Sequence, residues 1–219
     1  PSPPSAREEA LWPALRRISK HRKFMAMLVL FCGSQMALSI ITSAAPFIVE
    51  RLLGGSDRDV ALIMTPFLGT AIPFFAVAPW VSRRFGWQRA MLGASLGLVV
   101  VYVGTGALGS AVIGSPRNTA IPVFGCGGPV VAILLGVEAE AISSCAREAG
   151  GSATSLYFGV ANFMIQALNG VATFITGLLV TASRAPGREE IMTRMMSVVA
   201  GLLLLVGVFL FYLLRARPG

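Results

Sequence analysis

The chain has 219 residues, of which 55% are hydrophobic and 13% charged. Soluble domains carry roughly 25% charged residues, so a water-soluble globule is excluded and an integral membrane protein is expected. The net charge of +8 falls between apolar runs, so it marks topology and anionic headgroups, and no nucleic-acid partner is expected.

The chain opens at Pro1 with neither an initiator Met nor a signal-peptide pattern, and is expected to be part of a longer protein. Residues 1–23 read as a cytoplasmic basic linker, Pro/Ser-rich at its start and ending in Lys20-His21-Arg22-Lys23. Leu11, Leu15 and Ile18 share one helical face, with Arg16, Arg17 and Lys20 around it. That pattern fits an interfacial helix on an anionic leaflet, or a basic linker without regular structure. His21, the single histidine, is expected to be solvated.

A transmembrane domain is expected over 24–214, with spans at about 24–49, 60–82, 90–111, 119–138, 153–182 and 194–214, and a tail at 215–219. Each span supplies about 20 apolar residues, the length a helix needs to cross a bilayer. The predicted class is therefore all-α, a six-transmembrane-helix bundle. An even number of spans leaves both termini on one side. That side holds twelve of the eighteen Lys and Arg, and the other holds Arg51, Arg58, Arg117, Arg184, Arg188 and Arg194. The excess puts both termini in the cytoplasm of a multi-pass protein, in a membrane the sequence does not specify. Prolines fall inside several spans (Pro46, Pro66, Pro73, Pro79, Pro122, Pro129), where neighbouring helices and water satisfy the carbonyls they free. Gly93 and Gly97 form a G-x-x-x-G in the third span and predict a close helix contact. Cys32, Cys126 and Cys145 have no paired spacing, so neither a disulfide framework nor a metal site is expected.

The fifth span carries Asn162, Gln166, Asn169, Thr173 and Thr176 at i, i+4, i+7, i+11 and i+14, one face of a helix. An unpaired amide next to lipid costs on the order of a few kcal/mol, so this face should meet protein or water. Interhelical hydrogen bonding is one explanation, and the lining of a cavity is the other. Gln35, Ser39 and Thr42 repeat the pattern on the first span, although Ser and Thr also bond back to their own helix. Glu138, Glu140, Arg147 and Glu148 read as a short charged loop after the fourth span: solvated, acting as a gate, or, for Glu138 and Glu140, a proton or cation site if drawn into the bundle. No phosphate-binding loop, metalloprotease helix or nucleophile elbow is present, and no pair of ionisable residues is expected deep in a span. No catalytic residue and no cofactor are therefore predicted, apart from a coupling proton or sodium ion. Transport is favoured over an enzyme. The alternatives are a membrane scaffold or receptor of the same fold, and a carrier of lysolipid-like amphiphiles.

The run E-A-E-A-I-S-S-C-A-R-E-A-G-G-S-A-T-S-L-Y-F-G-V-A-N-F resembles the glycoside-pentoside-hexuronide:cation symporter branch of the major facilitator superfamily. The matching positions are Arg147, Glu148, Gly150, Tyr157, Phe158, Gly159, Asn162 and Phe163. P-W-V-S-R-R-F-G-W-Q-R is similar to the superfamily's basic loop between helices eight and nine, through Arg84, Gly86 and Arg89. W-P-A-L-R-R-I-S-K-H-R-K-F looks like its central cytoplasmic linker. The resemblance covers essentially the whole chain. It implies helices seven to twelve, one half of a major facilitator fold, with a six-helix N-terminal half as partner. It also implies a secondary active or facilitative carrier of a small polar, sugar-like solute working by alternating access. Gln35, Ser39, Thr42, Asn162, Gln166 and Asn169 are the expected substrate-binding residues. Arg84, Gly86, Arg89, Glu138, Glu140, Arg147 and Glu148 are the expected gating positions. Two departures matter. Arg83 stands where the family has an acidic residue, and Gln166 lies near a position that is lysine in sodium-coupled members.

Overall fold

The structure is a computed structural model that describes residues 11–108, 116–149, 154–183 and 189–216. The described residues form helices and short turns, without strands. The elements are α1 (Leu11–Lys20), α2 (Arg22–Leu52), α3 (Asp57–Phe85), α4 (Trp87–Gly106), α5 (Pro116–Glu148), α6 (Thr154–Ala182) and α7 (Glu189–Ala216). Six of them, α2 to α7, are long and apolar enough to cross a membrane. In hydrocarbon each backbone amide must bond within its own segment, which a helix does. At 33 residues, α5 is about 50 Å long, so its ends reach well past a hydrocarbon core of about 30 Å.

The helices alternate in direction. The starts of α2, α4 and α6 and the ends of α3, α5 and α7 share one end of the bundle. It carries Arg22, Lys23, Arg83, Arg84, Arg89, Arg147 and Arg215 and is called the basic end below. α2 is the most enclosed helix and packs chiefly on α7 and α6. α3 lies along α5, and α4 bridges α5 and α7.

Glycines set two of these seams. A Cβ at Gly33 would meet the Leu203 carbonyl at 3.1 Å and Gly207 Cα at 3.2 Å, so α2 and α7 touch backbone to backbone. A Cβ at Gly128 of α5 would run into the Phe67 carbonyl and the Thr70 hydroxyl of α3. The same hydroxyl donates to the Gly125 carbonyl at 2.8 Å, which stitches α3 to α5. The predicted G-x-x-x-G contact is corrected here. Gly97 faces Val130, but Gly93 is exposed with nothing near it.

The stretch expected as a charged loop, Glu138 to Glu148, is helical and forms the last three turns of α5. Leu134, Val137, Ala141, Ile142, Cys145 and Ala146 are buried at helical spacing through it, while Glu140, Arg147 and Glu148 turn outward. An apolar face holds the helix together despite the charges on its other side. The third span was expected to reach residue 111, but its helix ends at Gly106. The calls that fall on 1–10 and on Arg184 and Arg188 lie outside the described residues.

Candidate functional site

Nearly all of α2 is covered by its neighbours, except for one strip. Gln35 and Ser39 are half-buried there, and Thr42, Ser43 and Pro46 are exposed. These positions follow i, i+4, i+7, i+8 and i+11, so the uncovered strip is a single helical face. The most enclosed helix of the bundle thus leaves its polar side open.

Beside it, α6 buries Tyr157, Ala161, Ile165, Ala172 and Thr176. At 100° per residue the predicted polar stripe runs along the margin of that buried face. Asn162, Gln166 and Thr173 are exposed. Asn169 is half-buried, and its amide oxygen is buried without a hydrogen-bond partner. Thr176 turns inward, 5% exposed, and donates to its own helix at the Ala172 carbonyl, 3.0 Å away. It therefore drops out of the stripe, because its position drifts to the buried side of the margin.

The threonine hydroxyls are already engaged. Thr42 donates to the Leu38 carbonyl at 2.9 Å, and Thr173 to the Asn169 carbonyl at 2.9 Å. The side-chain amides of Gln35, Asn162 and Gln166 make no hydrogen bond among the described residues. Each offers two N–H donors and a carbonyl acceptor, the complement of a ligand rich in hydroxyl groups. Thr42 also borders a narrow apolar crevice of about 20 Å³, lined by Phe67, Tyr102 and Phe124 from α3, α4 and α5. None of the three unpaired amides lines it.

The expected gating residues sit at or near the basic end. Arg84 is exposed in the last turn of α3, and Arg89 is exposed in the first turn of α4. The loop predicted between them is one residue, Gly86, at φ 82°, a left-handed conformation that suits glycine. Glu148 meets Lys23 of α2 at 2.9 Å, with both side chains well exposed. Such a pair contributes between 0 and about 1 kcal/mol, so it is a weak latch. Glu138 differs from the rest. It is half-buried, about 15 Å inside the end of α5, and has no cationic partner among the described residues.

Sequence reasoning passed over two features. Glu138 was counted as a loop charge, although the apolar spacing from Leu134 to Cys145 signals that the helix continues through it. His21 was expected to be solvated, but it stands edge-on to Tyr157, with ring centres 5.9 Å apart and Nδ1 3.5 Å from the phenol oxygen. Tyr157 also packs edge-on against Phe24 at 4.7 Å, pinning the start of α2 to α6. At the opposite end Arg51 donates to the Ser183 hydroxyl at 2.6 Å, pinning the other ends of the same two helices. The strip between these ties is where the amides lie. The three cysteines are free thiols.

A family model described as MFS/sugar transport protein matches residues 2–216. No curated protein and no solved structure matches the chain.

Proposed function

The chain belongs to the MFS/sugar transport protein family, and on that premise we propose that it forms the solute-binding wall of a carrier for a small polar, sugar-like molecule. The carrier works by alternating access against a second six-helix half, with both termini of this chain in the cytoplasm. The observation that carries the proposal is the pair of uncovered polar strips, Gln35-Ser39-Thr42 on α2 and Asn162-Gln166-Asn169 on α6. A bundle facing only lipid has no use for bare amides there, since each one costs free energy in hydrocarbon. A water-filled cleft removes that cost and gives the amides a ligand. The Arg147-Glu148-Gly150 and Tyr157-Phe158-Gly159 matches support the glycoside-pentoside-hexuronide branch. Glu138 is the residue best placed to carry a coupling proton or sodium ion.

A carrier of lysolipid-like amphiphiles has one observation in its favour. Phe163 and Phe174 are 71% and 67% exposed on α6, next to Asn162 and Thr173. Uptake of a labelled sugar and of a labelled single-chain amphiphile, measured side by side, separates the two, since each reading predicts transport of only its own solute.

The test is uptake by the full-length protein bearing Asn162→Ala or Gln166→Ala. Losing a neutral hydrogen bond to substrate should raise KM about three- to tenfold per substitution. Unchanged uptake and affinity in both variants would rule out this site.

A further inference from the structure

We propose that the basic end of the bundle holds a binding site for the headgroup of an anionic phospholipid, set between α2, α4 and α7. A recess of about 380 Å³ opens there. Arg22, Lys23 and Arg215 stand around it, with Trp87 and Gln88 on one wall and Phe211 as part of the floor. Three features fit one ligand. Three cations from two helices converge on one opening, and basic recesses between membrane helices are where acidic headgroups settle. Trp87 and Gln88 are the first two residues of α4, whose N-terminus has no side-chain cap. Its first amides are therefore open donors for a phosphate oxygen. Finally, Phe211 is buried beneath the cations, and an indole at this level suits the glycerol-ester region of a lipid. Free phosphate gains nothing from Phe211 or Trp87, whereas a lipid uses the charged rim and the apolar floor together.

Lys23 shares its charge with Glu148, and Arg22 also has a partner within the molecule, so Arg215 is the cleaner of the two arginine positions to test. Arg215 has no carboxylate partner among the described residues. Trp12, Trp80 and Trp87 are the only tryptophans in the chain, and Trp87 reports on the recess. The experiment reconstitutes in phosphatidylcholine vesicles the full-length protein with Trp87 as its one remaining tryptophan, Trp12, Trp80 and any tryptophan elsewhere in it being replaced by Phe. Brominated phosphatidylglycerol or brominated phosphatidylcholine is then titrated in as a fluorescence quencher. A matched protein keeping only Trp80, which is 60% exposed on α3 outside the recess, reports bulk lipid and folding.

Trp87 should be quenched preferentially by phosphatidylglycerol. Arg22→Gln and Arg215→Gln should each weaken that preference about fivefold, while Trp80 responds equally to both lipids throughout. Equal quenching of Trp87 by the two lipids would overturn the proposal, as would a preference untouched by both substitutions. Displacement of the brominated lipid by a large excess of inorganic phosphate would overturn it too, identifying the recess as a site for small anions.

Discussion

Glu138 shows how one side chain changes meaning with its surroundings. At the end of a span it would be a solvated charge. Half-buried on α5 without an ion-pair partner among the described residues, it is a charge in poorly solvated surroundings. If it carries the coupling ion, Glu138→Gln should abolish stimulation of uptake by an inward proton or sodium gradient, while solute exchange without a gradient survives. Exchange and gradient stimulation both intact would remove Glu138 from coupling. Residue-scale legibility depended on angle. Asn162 and Gln166 were legible because their spacing alone places them on one face, and the structure leaves both uncovered. Thr176 was not, because an i+14 position falls on either side of a helix margin depending on how the neighbour packs. Glu138 was not, because its charge drew attention away from the apolar spacing of Leu134, Val137 and Ala141.

At the scale of elements, seams between helices rather than propensities fix the bundle. The lipid chains are as apolar as the side chains, so close fit and hydrogen bonds decide which helices associate. Gly128→Ala should therefore be costly, since its methyl meets the Phe67 carbonyl and the Thr70 hydroxyl. Overpacking of this kind typically costs about 1–3 kcal/mol, and should appear as a lower melting temperature in detergent. Gly93→Ala has open space around it and should leave the melting temperature unchanged or raise it slightly. An equal effect of both substitutions would contradict these assignments. The helices themselves were legible as apolar runs, but their partners were not. Gly93 and Gly97 had the motif spacing, while the backbone contacts formed at Gly33, Gly207 and Gly128, where no motif stood out.

For the whole molecule, the decisive feature is which surface stays open when six helices have packed. Composition was enough to predict a multi-span helical bundle, because a chain this apolar must bury or bond its backbone within the bilayer. It was not enough to say which polar residues would meet. That depends on α2 being enclosed on every side but one, and on α6 lying beside it with its amides at the margin. The remaining surfaces of α4 and α7 are apolar, with Val100, Val103, Leu202 and Phe209 exposed, as suits helices bordered by lipid. On the proposed function the bundle has a wet strip and a dry girdle. The most direct test places single cysteines at Gln35, Asn162, Gln166, Val103 and Phe209, in a background with Cys32, Cys126, Cys145 and any cysteine elsewhere in the full-length protein replaced by Ser. The full-length protein in membranes is then treated with a membrane-impermeant maleimide. Labelling at Gln35, Asn162 and Gln166, slowed by bound solute, with Val103 and Phe209 silent, is the predicted result. Amide positions that stay as silent as Val103 and Phe209 would contradict it.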